Sequence, residues 1–423
     1  MASLRQNTWK LDQWYDQDVA GNVSYKGAGE LWIQGRNQEY MADGAFPEGA
    51  NVYRSSPVQI PGNWVDGASN GDGATYAFGV RGNGSVWVWG KGVSTGSLGL
   101  NQPLNTEASS PKQVMAAPST GYVTRVVSKE TRTFAVQDGK LWVWGTNTYG
   151  GLGLNQSPAE LNALSSPTQI GTDATWSENL TTDGKNNLAV KTDGTLWAWG
   201  GTHSSQTYGQ LGQNQPDNLM LSSPVQIGTD TDWSTVRGGS DVNYSAACIK
   251  STGELFVWGR NGDQGVLGLN ESGGQDANSR SSPIQLPGTT WKTCQINYNM
   301  ACAVKTNGQY WAWGSNNYGQ LGQNQKGNHG TAASYSSPKQ VGTSTNWAHV
   351  WSGGSKCWGT KTDGTLWSWG QNSLGRLGLG SGGGNPRSSP MQIGTDTNWG
   401  TRFNAGAGHA LAVKTDGTLW LWG

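Results

Sequence analysis

One short stretch, Leu366-Trp367-Ser368-Trp369-Gly370, constrains this chain more than any other, because it is written eight times. The other copies end at Gly35, Gly90, Gly145, Gly200, Gly259, Gly314 and Gly423, at successive spacings of 55, 55, 55, 59, 55, 56 and 53 residues. A fixed period of this size is the mark of a repeat architecture. Residues found in every repeat build the fold, so function is sought where the repeats differ.

Each copy carries further parts in a constant order. The run Leu188-Ala189-Val190-Lys191-Thr192, then Asp193-Gly194, then Thr195-Leu196-Trp197-Ala198-Trp199 reads as two strands joined by a tight turn. Asp-Gly suits a two-residue turn that needs positive φ. Side chains alternate along a strand, so both Trp rings of Leu-Trp-x-Trp face one way and the Leu and small residue the other. A strand apolar on both faces belongs between two layers rather than against water.

Gly-x-Leu-Gly follows, with its leucine at Leu98, Leu152, Leu211, Leu267, Leu321 and Leu377, and is expected to drop that Leu into the core. Ser-Ser-Pro recurs at Pro57, Pro111, Pro167, Pro224, Pro283, Pro338 and Pro390. Proline cannot donate to a ladder, so it is expected to mark the start of an edge strand. Four short strands per period, radially repeated, describe the blade of a β-propeller.

The predicted fold is therefore all-β, a seven-bladed propeller of about 55-residue, four-stranded repeats, with eight blades, one incomplete, as the alternative. Residues 1–35 read as a degenerate half-repeat, in which Gln34 replaces the second Trp. Residues 36–423 hold seven repeats, with the C-terminal hairpin expected to close the ring on the strand around Pro57.

Composition narrows the function. Lys plus Arg and Asp plus Glu are both 28, so the formal charge is zero. No basic surplus or stripe of the kind nucleic-acid binders carry is expected. There is no apolar run long enough to span a membrane, and Met1-Ala2-Ser3-Leu4-Arg5-Gln6 does not read as a secretory signal. Synthesis in a host cytoplasm is expected. Cys248, Cys294, Cys302 and Cys357 form no CxxC pair and read as small buried thiols.

No catalytic set is visible. His203, His329, His349 and His409 fall at different repeat positions, and nothing brings a nucleophile and base together. Neither a cofactor nor a metal is expected. Of 24 tryptophans, only Trp14, Trp351 and Trp358 lie outside the repeat register. The loops between Gly-x-Leu-Gly and Ser-Ser-Pro vary most, and equivalent loops of a radial repeat emerge on one side as a crown. The candidate binding residues are Trp14, His203, Tyr208, His329, Tyr335, Trp351 and Trp358.

The series V-K-T-D-G-x-L-W-x-W-G, x-N-x-Y-G-Q-L-G and S-S-P-x-Q-I resembles the repeat of the regulator of chromosome condensation family, over nearly the whole chain. That resemblance implies a seven-bladed propeller. It does not fix an activity, since members include exchange factors for a small GTPase, chromatin binders, a β-lactamase inhibitor and scaffolds. The wedge-like insertion and basic tail of the exchange factors have no counterpart here, so exchange is not the expected activity.

The dialect Gln210-Leu211-Gly212-Gln213-Asn214-Gln215, with Ser222-Ser223-Pro224-Val225-Gln226-Ile227, is similar to repeats of marine bacteriophage structural proteins. It implies a non-enzymatic virion component, in a tail, fibre or capsid surface, meeting virion proteins or a host glycan or receptor. A carbohydrate-binding adhesin module is the alternative.

Overall fold

The computed structural model describes residues 31–37, 52–60, 64–69, 75–92, 96–102, 107–118, 123–201, 208–215, 219–238, 244–271, 278–297, 300–325, 334–380, 384–405, 410–416 and 418–422. Seven antiparallel sheets of three or four strands follow one another along the chain, as the repeat predicts. Blade one comprises β3 (Trp64–Ser69), β4 (Thr75–Arg81), β5 (Val86–Lys91) and β6 (Glu107–Met115). Blade two comprises β7 (Val123–Lys129), β8 (Arg132–Gln137), β9 (Lys140–Thr146) and β10 (Ala163–Gln169). Blade three comprises β11 (Trp176–Thr182), β12 (Asn186–Lys191), β13 (Leu196–Gly201) and β14 (Met220–Gln226).

Blade four has β15 (Trp233–Gly238), β16 (Ser245–Lys250), β17 (Leu255–Gly259) and β18 (Arg280–Gln285). Blade five has β19 (Trp291–Ile296), β20 (Met300–Lys305), β21 (Tyr310–Gly314) and β22 (Tyr335–Gln340). Blade six has β23 (Trp347–Gly353), β24 (Lys356–Lys361), β25 (Leu366–Gly370) and β26 (Arg387–Gln392). Blade seven has three strands, β27 (Trp399–Ala405), β28 (Ala410–Lys414) and β29 (Leu419–Trp422). Ahead of them β1 (Leu31–Asn37) pairs with β2 (Val52–Ile60).

The first-to-fourth strand order puts two connections at each end of a blade. The turn between the second and third strands shares one end with the link to the next blade. The first-to-second connection and the variable loop share the other. That second end is the crown.

Two local expectations change. The two-residue turn occurs in blade two, where Asp138 (φ 51°) and Gly139 (φ 71°) connect the paired Gln137 and Lys140. In blade three the turn is longer. Gly194 N–H donates to Lys191 O, Lys191 N–H donates to Thr195 O, and only Gly194 has positive φ (79°). The Asp193 carboxylate instead accepts from Thr195 N–H and Oγ1, as Asp363 does from Thr365. Nor does Ser-Ser-Pro begin a strand. Pro167, Pro224, Pro283, Pro338 and Pro390 sit inside the outer strand at a break in register, where a bulge removes the need for the missing N–H.

The core lies between blades. Phe134, Val136, Leu141 and Val143 of blade two pack with Leu152 and Ile170, and with Trp176, Leu180 and Trp199 of blade three. The second Trp of the hairpin carries the join. Trp199 Nε1 donates to Gly151 O of the preceding blade at 3.1 Å. The same bond recurs from Trp258 to Gln210, Trp313 to Val266, Trp369 to Gln320 and Trp422 to Arg376. Each accepting carbonyl precedes the Leu of Gly-x-Leu-Gly, and those leucines are buried. The closing glycine has a matching reason: a Cβ on Gly153 would lie 3.0 Å from the Trp199 ring. The repeated motif is thus a bolt between neighbours.

All four cysteines are free and buried, and burial pushes the Cys294 thiol up to about 12. At the last sheet, β29 has no outer neighbour among the described residues, and Trp420 is 45% exposed.

Candidate interaction surfaces

The crown end combines constant and variable parts. The residue of the second strand that pairs with the closing glycine of Leu-Trp-x-Trp-Gly lies at this end, and in six blades it is Tyr76, Arg132, Asn186, Ser245, Met300 or Lys356. Different side chains serve different neighbouring loops. Arg132 is 1% exposed; it donates to Thr146 O (3.0 Å), Thr148 O (2.7 Å) and, in the next blade, Gly184 O (3.2 Å). Burial pulls its guanidinium down to about 10. Lys356 is 2% exposed, and burial together with nearby Arg376 pulls its ammonium down to about 8.

Between blades three and four, Asp183 is buried, and desolvation raises its pKa despite bonds from Lys185 N–H, Asn186 N–H and Asn186 Nδ2. Asp183, Asn186, Gln210, Tyr244 and Ser245 line a small, partly open cleft with room for little more than a water molecule. Asn186 Oδ1 has no protein partner, so water is its natural occupant.

The predicted binding residues divide sharply. Trp14, His203 and His329 lie outside the described residues. Trp358 is a correction: on β24 it is 0% exposed, packed at 5.3 Å from Phe403 and grouped with Leu366 and Trp399. Its ring fills the core position that Phe78 and Phe134 fill in blades one and two, and presents nothing to a partner. Tyr208 is also core, 6% exposed and 5.3 Å from Tyr244, with the Arg260 guanidinium over its ring. Trp351 is half-buried against Phe403 (4.8 Å) and stacks on His349 (5.9 Å), whose pKa burial lowers. Tyr335 is half-buried at the start of β22, with Lys339 over its ring. Among the described candidates only Trp351 and Trp358 come together, as paired residues of β23 and β24 that share Phe403, and they build core rather than a binding site.

The turn end holds a pattern that was not singled out from sequence. In six of the seven blades the last residue of the second strand is a cation over two aromatic rings. Lys191 Nζ lies 4.8 Å from Trp176 and 3.9 Å from Trp197; Lys414 lies 4.9 Å from Trp399 and 3.9 Å from Trp420. Lys250, Lys305, Lys361 and Arg81 repeat this. Blade two has Gln137 instead. The signal was the Lys of every V-K-T-D-G, two residues before the turn Asp. The negative quadrupole of each ring draws the ammonium in.

Among the described residues no group of three or more His, Cys, Asp or Glu could hold a metal ion, and no helix is long and apolar enough to cross a membrane.

Comparisons with known proteins agree with this architecture. The regulator of chromosome condensation (RCC1) repeat matches residues 307–357 and 363–413. The RCC1 domain-containing protein RUG3 of Arabidopsis thaliana, described as mitochondrial, is 27% identical over 297 residues, covering 68% of this chain and 62% of that protein. The human E3 ubiquitin-protein ligase HERC2 is 25% identical over 355 residues, covering 81% of this chain but 7% of HERC2. The chain thus spans less than two thirds of either relative. The crystal structure of Prp20p from Saccharomyces cerevisiae, described with its binding to Gsp1p and histones, superposes with a TM-score of 0.62 at 18% identity, covering 87% and 88% of the two chains.

The chain thus has the fold of a repeat propeller, and two of its repeats match the RCC1 repeat.

Proposed function

We propose that this chain is a non-enzymatic protein-interaction module whose crown loops meet a protein partner, and that it serves as a structural component of a virus particle. The observation that carries the interaction reading is the division of the blade. The bolts and turns repeat, whereas the loops between Gly-x-Leu-Gly and Ser-Ser-Pro differ in composition from blade to blade and mostly in length. Rigid scaffolds with variable loops on one side are built for recognition. Prp20p, whose fold this chain shares, is described as binding Gsp1p and histones, both proteins. The virion role rests on the dialect of the repeats.

Density-purified particles analysed by mass spectrometry test this reading. The chain is expected at a fixed ratio to capsid protein, with chemical cross-links from residues 271–280 or 325–335 to a particle protein. Particles free of it would overturn the virion role. Acceleration of GDP release from a small GTPase would overturn the structural reading in favour of a regulatory one.

A further inference from the structure

The turn-end lysines are not equivalent. In blades three, four and seven the link entering the blade supplies a carboxylate. Lys191 Nζ reaches Asp173 at 2.8 Å, Lys250 reaches Asp230 at 2.8 Å and Asp232 at 2.9 Å, and Lys414 reaches Asp396 at 2.7 Å. In blade six the corresponding residue is Ser344, whose hydroxyl stands 3.5 Å from Lys361 Nζ. In blade five the link is one residue shorter and contains no acid. Among the described residues neither Lys305 nor Lys361 has a carboxylate partner. The nearby Asp363 turns its carboxylate to Thr365.

The surrounding sequence strengthens the contrast. Residues 277–362 contain seven Lys or Arg and no Asp or Glu, although the whole chain is balanced at 28 of each. The expectation that no basic stripe exists is corrected here, because averaging over 423 residues concealed it. Three of these cations fall near one end of two neighbouring blades. Lys305 and Lys361 close their strands opposite Trp291 and Trp347. Lys292 follows Trp291 and is exposed.

We propose that the turn end of blades five and six is a docking surface for an acidic segment of a partner protein, whose Asp or Glu carboxylates take the places that Asp173, Asp230 and Asp396 fill elsewhere. The sister blades show the geometry such a carboxylate adopts, a single oxygen on an ammonium held between two rings. Burial already lowers the Lys361 pKa, so this ammonium has given up part of its water before a partner arrives. Opposite charge at such a patch speeds encounter and fixes register. The surface is at the opposite end from the crown, so it stands or falls independently of partner binding there.

The test uses the full chain and fluorescein-labelled hexaglutamate at about 50 mM salt, where such contacts are weakly screened. Saturable binding is expected. Ser344→Asp, which restores the missing carboxylate within the chain, should raise thermal stability and weaken hexaglutamate binding by about fivefold or more. Lys305→Gln should weaken it similarly. Lys414→Gln, at an already paired lysine, should change it less than about twofold.

Equal weakening by Lys414→Gln, unchanged affinity in Ser344→Asp, or no saturable binding overturns the proposal. Tighter binding of a twelve-nucleotide single-stranded DNA that displaces the peptide also overturns it, assigning the patch to phosphate.

Discussion

The two ends of each blade obey different rules. At the turn end six blades repeat one arrangement, a cation over two rings beside a hairpin whose tight turn carries an Asx or Gly residue. At the crown end Gly-x-Leu-Gly repeats, but the residue paired with the closing glycine of the hairpin changes from Tyr76 to Arg132 to Asn186 to Ser245 to Met300 to Lys356. The turn end is fixed by the ladder of its own hairpin, so one solution serves six of the seven blades. The crown end must meet loops of different lengths, so each blade solves it separately. What is repeated carries the ring, and what varies is available for partners.

Substitutions at the two ends should separate these roles. Trp199→Ala removes a bolt, empties a buried site and leaves Gly151 O with Asn187 Nδ2 as its remaining donor. A loss of about 3–5 kcal/mol in urea unfolding is expected, and a loss below about 1 kcal/mol would mean that neighbouring blades are not joined there. Arg132→Met should cost about 2–3 kcal/mol, since three carbonyls lose a buried charged donor; a neutral result would make the crown end as tolerant within its core as in its loops.

Lys356→Met addresses the same ring position through pH. The folded state holds the Lys356 proton with a pKa of about 8, against an ordinary 10.5. Between these values the unfolded chain binds more protons, so the wild type should gain stability relative to Lys356→Met as pH rises through that window. Melting curves from pH 7 to pH 10 check the sign. Smallest is Lys191→Met at the turn end. This partly exposed ion pair and cation–π contact should yield about 1 kcal/mol or less, and the same change should be felt equally at Lys414.

Much of the fold was legible because the repeat averages noise away. Leu-Trp-x-Trp announced a strand buried on both faces, and the leucines of Gly-x-Leu-Gly are in the core as expected. The turn at Asp193-Gly194 was placed correctly but given the wrong length, because Asp-Gly fits two hairpin geometries and only backbone pairing distinguishes them. Pro167 was taken as a strand start, since a bulge inside a strand leaves no mark in sequence beyond the proline itself.

The candidate site was far less legible. Trp358 stood out because it broke the register, yet its ring occupies a core position that other blades fill with anything from Ala247 and Cys302 to Phe78 and Phe134. An off-register aromatic can mean exposure or a larger core pocket, and only packing decides. The lysine before the turn was visible in five repeats, with Arg81 in a sixth, but carried no meaning until the two rings beneath it had positions. The acid-free stretch was readable from the first, and whole-chain charge hid it.

The central claim is that variable crown loops can be exchanged without touching the bolted ring, and that partner binding goes with them. Replacing residues 271–280 and 325–335 by the shorter sequence of residues 215–221 tests it most directly. The account predicts a melting temperature within about 2 °C of the wild type, together with loss of the particle-protein cross-links. Unchanged cross-linking, or a melting temperature lowered as far as by Trp199→Ala, would contradict it.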